Sequence, residues 1–179
     1  MTLVGKMAPE WEASAYVDGE ERTFSSEDFE DQWYVIYWYP ADFTFICPTE
    51  IQEFQELYED FQDDGVAVLG CSTDSFFSHK YWFEQTDTFE PGITHPVLAD
   101  TAHDVSRAFG VLEEEHGIAF RATVIVDPEG RIRSLSVNDI DRDGVGVGRS
   151  PREVLRTVQA LQSGGLCGAE WESGEDFVA

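Results

Sequence analysis

At 179 residues the chain has room for one sizeable hydrophobic core but not for two ordinary domains. Hydrophobic residues make up 42% and aromatics 13%, which excludes a disordered chain, while 36 Asp and Glu against 11 Lys and Arg leave a formal net charge of -25. A negative field of that size repels phosphate backbones and anionic headgroups, so no nucleic acid and no membrane surface is expected as a partner.

The acids are spread along the whole chain and only Lys6 and Lys80 are lysines. This pattern reads as adaptation to very high salt, where screening over a few ångströms quiets the repulsion between carboxylates. The expected consequence is a fold that loses stability in dilute buffer. Circular dichroism across a salt series checks it, and equal stability at both ends would refute it. Three cysteines, Cys47, Cys71 and Cys167, are too few and too far apart for a secreted disulfide scaffold or a zinc knuckle. The N-terminus MTLVGKMAPEWEA lacks an apolar signal core and no apolar run approaches a membrane span, so a soluble cytoplasmic protein is expected.

In chain order, residues 33–39 (WYVIYWY) form a continuous apolar run, the mark of a strand buried on both faces. From Cys47 the pattern turns helical: Ile51, Phe54, Leu57, Tyr58 and Phe61 recur at three- and four-residue spacing, Pro48 suits a first turn, and Asp64 and Gly65 end the helix. Residues 66–71 (VAVLGC) read as a second buried strand. Residues 76–85 read as a helix capped by Asp74 or Ser75. A short strand around Val97 and Leu98 and a weaker helix at 103–109 follow. Strands at 122–126 and 132–137 are joined by the turn Asp127-Pro128-Glu129-Gly130 into a hairpin. Residues 138–148 are a Gly- and Asp-rich loop, 151–161 a closing helix, and the remainder a Gly-rich tail with Cys167. The sum is an α/β sandwich with a mixed central sheet, with residues 1–162 as the domain and 163–179 as its C-terminal tail.

The densest chemical signal is YPADFTFICPTE, residues 39–50. It places Pro40, Thr44 and Cys47 between a buried strand and a helix start, where free N–H groups and the helix dipole favour a thiolate. Thr44, three residues earlier, offers a hydroxyl to the sulfur and to an incoming oxygen. Pro40 has no N–H to compete and can limit water access. An arginine from elsewhere would complete the electrostatics with a permanent charge and forked donors.

Pro40-x-x-x-Thr44-x-x-Cys47 resembles the active-site motif of the peroxiredoxin family, and YPADFTFICPTE resembles its alkyl hydroperoxide reductase C or typical two-cysteine branch. The resemblance extends to Ser72-Thr73-Asp74-Ser75 with Ser78-His79 and Trp82, Arg121-Ala122-Thr123, Gly148-Arg149-Ser150 and Leu166-Cys167. It implies a thioredoxin-like fold, Cys47 as the peroxidatic and Cys167 as the resolving cysteine, and Arg121 as the active-site arginine. Glu50 and Arg149 fall at supporting positions. The substrates implied are hydrogen peroxide or alkyl hydroperoxides, and the reductant a thioredoxin-like protein or a flavoprotein disulfide reductase. A homodimer assembled into a decamer is implied, and no metal or organic cofactor is expected. The chain departs from the family in its longer 138–148 loop and its acidity. It also has Gly117-Ile118-Ala119-Phe120 and an ending SGEDFVA where members sensitive to over-oxidation carry Gly-Gly-Leu-Gly and Tyr-Phe motifs, which implies resistance.

Other readings stand beside this one. Cys71, inside VAVLGC, reads as a small buried hydrophobe. Arg121 on its own could be an ordinary ion-pair arginine. His79, His95, His103 and His116 lack ligand spacing with cysteines or carboxylates, and His79 is placed near the active-site loop. A cysteine hydrolase would pair Cys47 with one of these histidines, and a redox-regulated chaperone or peroxide-sensing ring could use the same fold.

Overall fold

The computed structural model describes residues 2–141 and 143–179. Next to the middle of its sheet lies strand β3 (Trp33–Trp38), flanked by the middle strand β4 (Val66–Ser72) in parallel and by β8 (Arg121–Val126) in antiparallel register. Outward on one side come β5 (Val97–Ala99) and the hairpin β1 (Glu12–Val17) and β2 (Glu20–Ser25); on the other lies β9 (Ile132–Asn138). The seven strands run in the order β2-β1-β5-β4-β3-β8-β9, a mixed sheet as expected. A two-stranded ribbon, β6 (Leu112–Glu113) and β7 (Ile118–Ala119), stands apart.

Because successive side chains of a strand point to opposite faces, the run at β3 feeds two cores. Val35, Tyr37 and Tyr39 pack on one face against α1 (Cys47–Glu56), α2 (Tyr58–Asp63), α3 (Phe76–Gln85) and α5 (Pro151–Ser163). Tyr34, Ile36 and Trp38 pack on the other with Trp11, Phe29 and, around α4 (Asp104–Ala108), Val105 and Phe109. Burial on both faces is why no polar alternation survives in this strand.

Two expectations change in detail. The helix expected from Cys47 to Asp64 is two helices, with Leu57 leaving helical geometry (φ -93°, ψ 3°) between them. The hairpin β1–β2 has no counterpart in the reading above. Its turn is Asp18-Gly19, both with positive φ (46° and 88°), the conformation that matches the twist of a two-residue hairpin. Elsewhere the boundaries agree closely. Helix α3 covers the expected residues with Ser75 as its cap, accepting from the Ser78 amide. Helix α5 runs two residues further than expected and ends at Gly164 in the left-handed region.

The tail folds back rather than trailing away. Trp171 is buried, stacks on Phe177 and donates from Nε1 to the Glu175 carbonyl, while Arg156 of α5 donates to the Trp171 carbonyl. Among the described residues no helix is long and apolar enough to cross a membrane.

A buried polar cluster ties β3 to the loop before β5. Gln55 accepts from His95 Nδ1 (2.8 Å), which leaves Nε2 to accept from the Tyr37 hydroxyl at 2.7 Å. Gly70 in β4 makes room for that hydroxyl, since a Cβ there would lie 2.8 Å from it. Burial pushes the His95 pKa down from 6.5 to about 3. Between these values the unfolded chain binds a proton that the folded chain refuses, so stability rises with pH. This contribution is complete above about pH 6.5 and is lost as pH falls toward 3. Urea unfolding should show wild type losing about 2 kcal/mol more than His95→Gln between pH 7 and pH 5, from ~1.4 kcal/mol per pKa unit. Parallel losses would overturn the assignment.

Candidate active site

Cys47 opens α1 with Pro48 in the first turn, and its side chain is fully buried. Arg121, the first residue of β8, shares a face with Thr123 and Ile125 and so reaches toward α1. Its Nη1 donates to Cys47 Sγ at 3.2 Å and to Glu50 Oε2 at 2.7 Å. Glu50, one turn along α1 and 2% exposed, presents its other oxygen to Arg149, which donates from its backbone N (2.8 Å) and Nε (2.9 Å). Arg149 also donates to the Ala122 and Trp38 carbonyls and to Thr123 Oγ1, and its guanidinium lies 5.5 Å from the centre of the Tyr37 ring. One arginine thus joins the ends of β3 and β8 to the first turn of α1.

Two buried guanidinium groups therefore face one carboxylate, and the positive charge left over sits against the sulfur. For Arg121 burial pulls the pKa down, but the charges of Cys47 and Glu50 and hydrogen bonds to both outweigh it and leave it raised. The group stays a cation. Among the described residues, Arg121 Nε is buried without a hydrogen-bond partner, a donor still available to a ligand.

The other expected residues are placed less directly. Pro40 is buried at the end of β3. Thr44 is half-buried, and its hydroxyl donates to the Ala41 carbonyl (2.9 Å) rather than to the sulfur. Cys167 is not brought to Cys47. Its Sγ lies 3.3 Å from Ser163 Oγ and 3.6 Å from the Ala160 carbonyl, at the C-terminal end of α5. Both cysteines are free thiols. Cys71 is buried, and burial followed by the charge of Asp100 pushes its thiol well up, in keeping with a small hydrophobe.

The sequence reading assigns no part to Asp42, yet it anchors the loop that leads from β3 to Cys47. Its carboxylate accepts from the hydroxyls of Tyr39 (2.8 Å) and Ser78 (2.7 Å) and faces His79 Nδ1 at 2.9 Å, while its amide donates to Asp74. Burial, with the charge of Asp42 added, raises the Asp74 carboxyl. The signal was available in an acid placed two residues after Pro40 and an Asp-Ser-x-x-Ser-His run at 74–79. His79 is thus occupied by Asp42 and the Leu98 carbonyl, and His95 by Tyr37 and Gln55. No histidine is a hydrogen-bond partner of Cys47 among the described residues, which removes the geometry a cysteine hydrolase would need. His116 does gather with Glu113 and Glu115, ligand atoms within 4.8 Å, which differs from the expectation that the histidines lack such spacing; Glu115 and His116 are exposed and Glu113 is nearly buried.

Residues 4–135 match the AhpC/TSA family model. The chain belongs to the AhpC/TSA family. Relatives within it include peroxiredoxin prdx-2 of Caenorhabditis elegans, 44% identical over 98% of this chain and 88% of the relative. Thioredoxin peroxidase of Echinococcus granulosus is 40% identical over 96% and 90%, and alkyl hydroperoxide reductase C of Bacillus subtilis 38% identical over 99% and 95%. Among solved structures, a reduced 2-Cys peroxiredoxin of Plasmodium vivax superposes with a TM-score of 0.90 at 32% identity, covering 98% of this chain and 92% of that one. AhpC of Enterococcus faecalis gives 0.84 at 40% identity, covering 91% and 94%. The thioredoxin-like fold and the family's chemistry follow: this is a peroxiredoxin, a thiol-dependent peroxidase.

Proposed function

We propose that Cys47 is the residue that attacks peroxide and Cys167 the one that resolves it. The observation that carries this reading is Arg121 Nη1 at 3.2 Å from Cys47 Sγ and 2.7 Å from Glu50. The Cys47 thiolate attacks the terminal oxygen of hydrogen peroxide or an organic hydroperoxide. The O–O bond breaks, the leaving oxygen takes a proton and departs as water or alcohol, and a sulfenic acid remains. Arg121, through its free Nε, steadies the charge that builds on the departing oxygen. Thr44 turns its hydroxyl from Ala41 to the substrate, and Pro40 keeps competing donors away. Glu50 and Arg149 fix the direction of Arg121. The Cys167 thiol then displaces hydroxide from the sulfenic sulfur, forming a disulfide and water, and a dithiol reductant restores both thiols by exchange.

The reductant is a thioredoxin-like protein or a flavoprotein disulfide reductase, the former favoured by the name of the Echinococcus relative. In this cycle residues 163–179 act as an arm distinct from the peroxidase domain. A homodimer is supported by β9, an edge strand that carries exposed Val137, an open edge that a second copy would cover. A decamer and a cytoplasmic site of action complete the reading. Non-reducing gels after one equivalent of hydrogen peroxide test it: wild type forms a disulfide-linked species and Cys167→Ser does not, while the variant still consumes one equivalent. A disulfide in Cys167→Ser, or none in wild type, would refute the pairing.

A further inference from the structure

The disulfide step asks for movement, since Cys47 has no exposed surface and Cys167 rests against Ser163 and Ala160. The first turn of α1 has to open. That turn is pinned at Ile46, whose carbonyl accepts the amides of Thr49 (3.0 Å) and Glu50 (3.4 Å) and the Thr49 hydroxyl (2.6 Å). The half-buried Ile46 side chain is covered by the segment that links β9 to α5. A Cβ added to Gly148 would stand 3.2 Å from Ile46 Cγ2 and 3.6 Å from Glu50 Cγ. One added to Gly146 would stand 2.9 Å from Ile46 Cδ1 and 2.7 Å from Asp141 Cβ. The backbone lies against Ile46 as closely as glycine permits. Beside these contacts the segment is held by Asn138, which donates to the Val147 carbonyl (3.3 Å), and by the Arg149 amide on Glu50 (2.8 Å).

We infer that Ile46, Gly146 and Gly148 are positioning residues that latch the Cys47 turn, so that the 143–148 segment sets how fast oxidised Cys47 leaves its site. The inference rests on the two-cysteine cycle proposed above. It assigns the segment a role in the choice between two fates of the sulfenic acid. Released, the sulfur meets Cys167 and loses water. Retained beside Arg121, it attacks a second peroxide, takes up one oxygen and becomes a sulfinic acid while water or alcohol leaves. A looser latch favours the disulfide. Val145, exposed on the same segment, has no part in it.

The test uses the full chain in high salt, as wild type, Ile46→Ala, Gly148→Ala and Val145→Ala. Disulfide formation is followed by rapid quench and non-reducing gel, sulfinic acid at Cys47 by mass spectrometry, and the peroxide step by stopped flow. In a Cys167→Ser background, dimedone traps the sulfenic acid and reports release of Cys47 directly. Expected for Ile46→Ala is a disulfide step and a dimedone reaction faster by about five- to ten-fold, the factor that follows from losing a half-buried contact of three carbons. Gly148→Ala, whose added methyl would stand 3.2 Å from Ile46 Cγ2 and push the segment off it, shifts both in the same direction. Sulfinic acid falls in proportion, and Val145→Ala behaves as wild type. Unchanged release in both variants would overturn the latch, as would slowing of the peroxide and release steps together, the sign of general structural loss. If wild type forms no Cys47–Cys167 disulfide, the two-cysteine cycle falls while the dimedone arm still decides the latch.

Discussion

Cys47→Ser is expected to abolish rapid peroxide consumption, and Arg121→Met to lower its second-order rate constant by about 10²- to 10³-fold, the usual cost of removing a preorganised donor aimed at developing charge. On the proposed cycle Arg121 acts twice. In the resting protein its Nη1 donates to the sulfur, and its buried Nε, without a partner among the described residues, would serve the leaving oxygen. Methionine has similar reach and no charge, so it removes both effects while filling much of the space. Arg121→Lys keeps the charge but not the fork, and a single ammonium does not serve sulfur, Glu50 and substrate together, so an intermediate loss is expected. Stopped-flow assays of the reduced protein decide the matter. An Arg121→Met enzyme within ten-fold of wild type would mean that the sulfur owes its reactivity to the helix terminus alone.

Glu50→Ala unfolds the protein most readily of the single changes considered, with an expected loss of about 3–5 kcal/mol, because it strands buried cations without their counter-charge. Arg121 and Arg149 both lose their carboxylate, and the Arg149 amide loses its acceptor as well. Glu50→Gln keeps one acceptor oxygen and the shape of the side chain, so its loss should be smaller. Glu20→Gln, which breaks the exposed pair with Arg22, should barely move the urea midpoint. If Glu50→Ala matched Glu20→Gln, the buried array would contribute nothing to the fold and its role would be confined to chemistry.

The parts of the fold legible in the sequence were those where one physical demand dominates. A strand buried on both faces leaves a run such as WYVIYWY, and a helix against a sheet leaves the spacing of Ile51, Phe54 and Phe61. The β1–β2 hairpin was missed: Asp18-Gly19 is a turn signal, but β2 is so polar that no apolar pattern announces a strand beside it. The break at Leu57 leaves no such mark, because Leu57 and Tyr58 continue the periodicity and only the backbone departs. Within the site, Pro40, Thr44 and Cys47 lie close in sequence, and their spacing carries the motif. Arg121 and Arg149 reach Glu50 from 71 and 99 residues away, and no local pattern distinguishes them from arginines that pair at the surface. Only resemblance singled them out in the sequence; the sheet order explains them. The Tyr37–His95 pair, 58 residues apart, is invisible for the same reason.

The shared carboxylate of Glu50 has a thermal consequence. With a thiolate at Cys47 the buried array is electrically neutral, two cations against two anions. Sulfenic acid, before the turn opens, withdraws one anion, and a lone positive charge is left inside a low-dielectric interior that holds it poorly. On the proposed cycle the reduced protein is expected to melt higher than the protein oxidised to a sulfenic acid at Cys47. In a calorimeter, the melting temperature itself becomes a gauge of how much peroxide the molecule has met.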